Sequence, residues 1–193
     1  MALYLSLLGP PQLWRGGRPV PLLPRKAAAM AAYLAVAGHP VERGRLADLL
    51  WEGDEEGVRR NLRQELFRLK NTPWEQVFVQ TPTAIGLGLV ETDLEVFLAR
   101  MTKGAWGEAV ALWRGGFLAG LEPKTSEGFW DWLIPERERW AGLYREALLG
   151  LARGHEAAAN YHEALKVYSR LLADDPLQEL VQMAAMRLYL QMG

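Results

Sequence analysis

The most informative segment of the sequence is VRRNLRQELFRLKN, which runs from Val58 to Asn71. At 100° per residue, its aliphatic side chains lie within about 80° of one another around a helix axis. These side chains are Val58, Leu62, Leu66 and Leu69. The segment is therefore predicted to be an amphipathic helix that packs on a hydrophobic core through this stripe.

The opposite face of the same helix is predicted to be basic and polar. It carries Arg60, Gln64, Phe67 and Asn71, and residues 58–70 hold five basic side chains against one acidic side chain, Glu65. Arg and Gln side chains can bond two atoms of a base edge, and an apolar side chain can contact the thymine methyl. The candidates for base contacts are Arg60, Arg63, Gln64, Phe67 and Arg68. Arg59 and Lys70 lie together at one margin and are the candidates for phosphate contacts. The alternative interpretation is an ordinary solvated amphipathic helix.

The elements around this helix are predicted to follow the order of a winged helix. A strand near Leu3–Leu7 and a hairpin turning at Gly16-Gly17 come first, and prolines at 19, 21 and 24 confine the second arm to a sheet edge. Two helices then precede the basic helix, and a hairpin turning at Thr81-Pro82-Thr83 follows it. In a winged helix, the third helix enters the major groove and the hairpin lies along the DNA backbone.

From Asp93 onward the sequence is predicted to be helical and contains an internal repeat. Gly104–Trp113 matches Ala159–Tyr168 in the order of aromatic, Glu, Ala, aliphatic and aromatic residues, at an offset of 55. This offset exceeds the 34 residues of a tetratricopeptide unit, so a segment is inserted between the copies. Two unrelated amphipathic helices of similar composition are the alternative.

Composition excludes several classes of function. The chain has 193 residues, 50% apolar and 23% charged, which is typical of a globular protein with one large or two small domains. It has no cysteine, its three histidines show no metal-binding spacing, and it contains no nucleotide-binding or nucleophile motif. We therefore expect no enzymatic activity, no catalytic residue, no cofactor and no metal. No segment is long and apolar enough to span a membrane, and we expect a cytoplasmic protein.

The sequence resembles the SARP-type bacterial transcriptional regulators, which join an OmpR-like winged helix to a bacterial transcriptional activator domain. The resemblance rests on Leu7-Leu8-Gly9-Pro10, on Arg60-Asn61-Leu62 through Lys70, on Ala111-Leu112-Trp113-Arg114-Gly115 and on Pro176-Leu177, among other segments in the same order. It implies a mainly α fold with a small β component, in which a winged helix-turn-helix (1–92) precedes a tetratricopeptide-like helical domain (93–193). It further implies sequence-specific binding to double-stranded DNA and recruitment of RNA polymerase, as an activator.

The sequence departs from the family in two respects. No Lys or Arg lies between Asn71 and Ala99, so the predicted wing lacks the basic residues expected to touch DNA. The family's activator domain usually continues for further helices beyond the equivalent of Gly193, which predicts a fragment or a shortened member. Met1–Leu94 has 11 basic and 10 acidic residues. A helical protein-interaction scaffold with a degenerate winged helix is therefore the alternative function.

The last predicted helix, Leu177–Met192, has apolar side chains on two faces. Leu177, Val181, Ala184 and Leu188 are predicted to pack on the preceding helix. Met183, Met186 and Leu190 lie on the other face, where an end helix in contact with water should be polar. Either a further helix covers them, or two copies of the chain form a homodimer through them, or the long helix from Glu136 folds back over them.

Overall fold

The computed structural model describes residues 2–21, 24–121 and 126–192, and these residues are mainly helical. The strands are β1 (Leu3–Ser6), β2 (Gln12–Arg15), β3 (Arg18–Pro19), β4 (Val41–Glu42), β5 (Phe78–Gln80), β6 (Ala84–Leu87) and β7 (Val90–Thr92). The α-helices are α1 (Arg25–Ala37), α2 (Arg43–Leu50), α3 (Glu55–Leu69), α4 (Asp93–Thr102), α5 (Trp106–Ala111), α6 (Glu127–Ala157), α7 (Tyr161–Asp174) and α8 (Glu179–Met192). A 3-10 helix covers Pro73–Val77.

The chain divides into two compact units that are both discontinuous in sequence. The first unit combines Met1–Val96 with Arg114–Arg139, and the second combines Phe97–Trp113 with Trp140–Gly193. This division follows the contacts within the folded chain and does not follow the order of the sequence. The domain boundary expected after residue 92 stays a prediction.

The first unit contains two small sheets, the helices α1, α2 and α3, and the first part of α6. One sheet has the order β3-β2-β1-β7, and the other has the order β4-β6-β5. Strand β3 forms an edge, as the nearby prolines predict, since proline cannot donate a hydrogen bond to a neighbouring strand. Strands, three helices and the β5–β6 hairpin follow one another in the order of a winged helix, which confirms the predicted fold class for this part of the chain.

Two elements of this unit were not predicted from the sequence. Strand β7 pairs in parallel with β1, with Tyr4 opposite Glu91, and strand β4 pairs with β6, with Val41 opposite Ile85. Both strands are only two or three residues long. Such short segments carry too little periodicity to be recognised without their partners.

The side chain of Asp93 holds the end of β1 in place. Its carboxylate accepts hydrogen bonds from the Leu7 N–H at 2.7 and 2.8 Å and from the Leu8 N–H at 2.8 Å. The Arg114 guanidinium lies 3.8 Å from it, and the Asp93 side chain is almost fully buried. Burial raises the pKa of Asp93 to about 6, and the two N–H donors and Arg114 act against this rise.

The segment after α5 returns to the first unit. The Arg114 N–H donates to the Leu8 carbonyl at 2.8 Å, and the Leu118 N–H donates to the Leu7 carbonyl at 2.9 Å. A Cβ atom on Gly9 (φ 139°) would lie 2.8 Å from the Arg114 Cβ, so only glycine fits this approach. The region after Asp93 is therefore not uniformly helical, because residues 112–121 form turns and bends instead.

The second unit contains both copies of the sequence repeat, and the two copies share local structure. Each helix is preceded by a residue with left-handed φ, Gly104 (68°) and Ala159 (57°). Each begins at an aromatic residue, Trp106 in α5 and Tyr161 in α7. Three residues later each has a fully buried alanine, Ala109 in α5 and Ala164 in α7. This agreement in backbone and burial favours a true repeat over shared composition.

Helix α8 packs on α7 through Val181, Ala185 and Leu188. Leu177 was expected to belong to this stripe, but it precedes the helix and is 85% exposed. Tyr168 of α7 donates a hydrogen bond to Glu156 of α6, which also accepts one from Arg187 of α8 at 2.9 Å. Burial and then the Glu156 carboxylate raise the pKa of Tyr168 to about 12. Glu156 therefore links three helices of this unit.

Candidate nucleic-acid interface

The local sequence of α3 fixes where the helix begins and which side faces the core. The Asp54 side chain caps its start by accepting the Gly57 N–H at 3.0 Å. Glu55 and Glu56 occupy the first turn, where carboxylates interact favourably with the helix dipole. The helix starts three residues earlier than the predicted segment, and its four-residue aliphatic stripe is buried as the spacing predicts. The buried residues are Val58, Leu62, Leu66 and Leu69.

The opposite face of α3 and its C-terminal cap expose all the candidate DNA contacts. Arg59, Arg60, Arg63, Gln64, Phe67, Arg68 and Lys70 are exposed. The five candidates for base contacts surround one open depression of about 450 Å³. Phe67 is 70% exposed, which is unusual for so large an apolar side chain at the middle of a basic surface. We call this depression and the five residues that line it the α3 reading face.

Two of the three carboxylates of α3, those of Glu55 and Glu65, form ion pairs with arginines of the same helix. Glu65 is buried, and its carboxylate is 3.6 Å from Arg68. Glu55 pairs with Arg59 at 2.5 Å, and both side chains are more than half exposed. Among the described residues, no carboxylate lies within salt-bridge distance of Arg60 or Arg63. These two guanidinium groups can therefore approach an acceptor without breaking an ion pair.

The C-terminal end of α3 differs from the prediction. The helix ends at Leu69 and does not continue to Asn71, which adopts a left-handed φ of 62°. The Asn71 N–H donates to the Glu75 carboxylate at 2.8 Å. Asn71 therefore does not lie on the helical face with Arg60 and Gln64. Asparagine tolerates left-handed φ better than most residues, which explains the break at this position.

A second groove, of about 700 Å³, lies between the start of α2, helix α3 and the turn of the β5–β6 hairpin. Arg43 and Arg59 line it together with Arg63, which also belongs to the α3 reading face. The Arg43 guanidinium donates to the Thr81 carbonyl at 3.3 Å. The hairpin has no cation of its own, but α2 supplies one beside it.

Sequence reasoning missed Arg43 because it considered only the cations of α3. Arg43 and Arg45 lie in the first turn of α2, the first helix of the helix-turn-helix. This helix crosses the DNA backbone in proteins of this fold, so its basic first turn was an available signal.

No group of three or more Asp, Glu or His side chains that could hold a metal ion occurs within residues 2–21, 24–121 and 126–192. Of the helices in the described part of the chain, none is both long and apolar enough to cross a membrane.

The fold places the chain in the class of winged-helix proteins with a second, helical region. Residues 98–193 match the family model of the bacterial transcriptional activator domain. The structure is similar to that of Mycobacterium tuberculosis EmbR in complex with a low affinity phosphopeptide, with a TM-score of 0.77 and 22% identity. The match covers 97% of this chain and 54% of the EmbR chain, so this chain spans about half the length of EmbR. No curated protein sequence matches the chain. The family model and the shared fold confirm the resemblance that the sequence predicts.

Proposed function

We propose that the chain is a sequence-specific DNA-binding regulator of transcription that inserts α3 into the major groove. The observation that carries this proposal is the α3 reading face, which gathers an amide, an exposed aromatic ring and two guanidinium groups on one helix surface. These are the side-chain types that distinguish base pairs by their major-groove edges. The two guanidinium groups, of Arg60 and Arg63, have no carboxylate partner within the described part of the chain. The buried stripe of α3 fixes which side of the helix faces outward, so the contacts do not depend on a flexible loop.

Phosphate contacts come from the margins of this surface. Lys70 lies at the end of α3, and Arg43 and Arg59 line the groove beside the hairpin. Phosphate contacts set the position of a protein on the duplex without carrying sequence information. Arg59 must exchange its partner Glu55 for a phosphate, so its contribution is smaller than that of an unpaired cation.

The helical half is assigned the activating role. Residues 98–193 match the family model of the bacterial transcriptional activator domain, which supports recruitment of RNA polymerase by this part of the chain. The proposed activity is binding and recruitment without catalysis, and it takes place in the cytoplasm, where the bacterial chromosome lies.

We also propose that two copies associate through the outer face of α8. Met183, Met186 and Leu190 are 65%, 65% and 84% exposed, and the described residues leave them uncovered. Met186 lies in the middle of this stripe, so a two-fold axis there sets Met183 of one copy against Leu190 of the other. Such a surface is complementary to itself, which an interface between two identical subunits requires.

The DNA-binding proposal is tested by selection from a library of random-sequence duplexes with the full chain, followed by retardation of the selected duplex. We expect enrichment of one sequence and binding at least tenfold tighter than to a scrambled duplex, because specific sites exceed non-specific ones by much more. Arg60→Ala should weaken binding to the selected duplex by about 1–3 kcal/mol and so reduce this preference. Absence of any enriched sequence would overturn the proposal and favour a protein-interaction scaffold.

A further inference from the structure

Phe67 gives the α3 reading face a feature that simple phosphate binding does not require. Its ring is 70% exposed, and the lining of the depression beside it is mostly carbon. The stems of the surrounding arginines supply part of this carbon surface, since their charged ends extend into water. The Lys70 ammonium lies 5.4 Å from the centre of the Phe67 ring, which is a cation–π distance. The result is an apolar depression with cationic and amide groups at its rim.

The DNA major groove offers one matching apolar group on unmodified base pairs, the C5-methyl of thymine. The other features of the base edges in that groove are hydrogen-bond donors and acceptors. An arginine bonds best to the O6 and N7 atoms of guanine, and glutamine bonds best to adenine. A carbon-lined depression between Arg60, Arg63 and Gln64 therefore fits a thymine with guanine or adenine close to it.

We infer that the depression at Phe67 is a binding site for the thymine C5-methyl group and that Phe67 is a specificity-determining residue. This inference rests on the proposed function, since it requires α3 to enter the major groove. The apolar part of the surface then recognises thymine, a role that the charged neighbours of Phe67 cannot fill.

The test replaces each thymine of the selected duplex by uracil, one position at a time, which removes only the C5-methyl. At one position uracil should weaken binding by the wild-type chain about fourfold, the effect expected from one buried methyl-sized group. Phe67→Ala should bind the thymine and uracil duplexes equally. Phe67→Leu, which keeps an apolar side chain there, should retain part of the preference for thymine.

Three outcomes separate this inference from the proposed function. If no duplex is selected, both fail. If a duplex is selected but uracil has no effect at any position, DNA binding stands and the methyl site is wrong. If Phe67→Ala keeps the full preference for thymine, another residue recognises the methyl and the role of Phe67 is wrong. Because Phe67 is exposed, the unfolding midpoint of Phe67→Ala should equal that of the wild type, which excludes a general structural effect.

Discussion

Helices α3 and α8 have similar lengths and similar inner faces but different outer faces. Each buries an aliphatic stripe, through Leu62 and Leu66 in α3 and through Val181 and Leu188 in α8. The outer face of α3 exposes arginines around a single aromatic ring, whereas that of α8 exposes Met183, Met186 and Leu190. The inner stripes thus explain how both helices pack, but they do not indicate what either helix binds.

The outer faces indicate which kind of partner each helix can bind. Cations and amides lose little on contact with a wet, anionic surface such as DNA, where much of the interface stays hydrated. Methionine and leucine side chains gain from removal of water, which favours contact with another apolar protein surface. One chain therefore presents a helix suited to nucleic acid and another suited to protein.

The largest expected effect is on the free energy of unfolding, and it distinguishes the buried face of α3 from its exposed face. Leu66→Ala should destabilise the fold by about 2–5 kcal/mol, because it removes buried carbon and leaves a cavity. Leu188→Ala should act similarly in α8. Arg60→Ala should change the free energy of unfolding by less than about 0.5 kcal/mol, because Arg60 is exposed. Chemical denaturation measures the free energy of unfolding of all three variants. An unchanged midpoint for Leu66→Ala would show that α3 is rotated about its axis.

A second substitution tests the outer face of α8. Met186→Glu/Leu190→Glu should weaken association of the 193-residue chain at least tenfold, because carboxylates would be buried against one another in the pair. Sedimentation over a range of concentrations measures this, with Met186→Leu/Leu190→Met as the control that keeps the surface apolar. A wild-type chain that stays monomeric throughout would contradict the proposed pairing.

The stability of the first unit should also depend on pH, through the buried carboxylate of Asp93. The folded pKa of Asp93 is about 6 against an ordinary value of 3.8, so the folded state binds this proton more tightly than the unfolded state does. Its stabilising effect is complete below about pH 4 and is lost as the pH rises through about 6. Lowering the pH from about 7 to about 5 should therefore stabilise the fold by about 1 kcal/mol through this group.

Denaturation of the wild type and of Asp93→Asn at both pH values isolates the contribution of Asp93, because other carboxylates titrate equally in the two proteins. The wild type should gain more stability than the variant on acidification. An equal gain would show that the buried carboxylate does not titrate in this range.

The smallest expected effect is on DNA binding by Arg59, at the margin of the α3 reading face. Arg59→Ala should weaken binding to the selected and scrambled duplexes equally. It should also reduce by about 1 the magnitude of the slope of the log binding constant against the log salt concentration. Glu55→Gln should strengthen binding to both duplexes, because it frees Arg59 from its partner. A loss confined to the selected duplex would make Arg59 a base contact instead.

The sequence was sufficient for features that lie within short windows, and it was insufficient for pairings between distant residues and for the ends of helices. The stripe of α3, the winged-helix order and the repeat follow from periodicity and turn residues within short windows. The parallel pairing of β7 with β1 and the return of Arg114 to Leu8 join residues far apart in sequence. The expectations for Leu177 and Asn71 were wrong because helix ends depend on capping geometry, which periodicity does not show. Arg43 could have been found, since it begins the first helix of the helix-turn-helix.

The most direct test of the α3 assignment compares two arginines of the same unit on the selected duplex. Arg63 has no carboxylate partner among the described residues and lines the α3 reading face, whereas Arg18 is equally basic but exposed in the edge strand β3. Arg63→Ala should weaken specific binding about 5- to 150-fold, which corresponds to about 1–3 kcal/mol, and Arg18→Ala should bind within about twofold of the wild type. Equal affinities for the two variants would contradict insertion of α3 into the major groove.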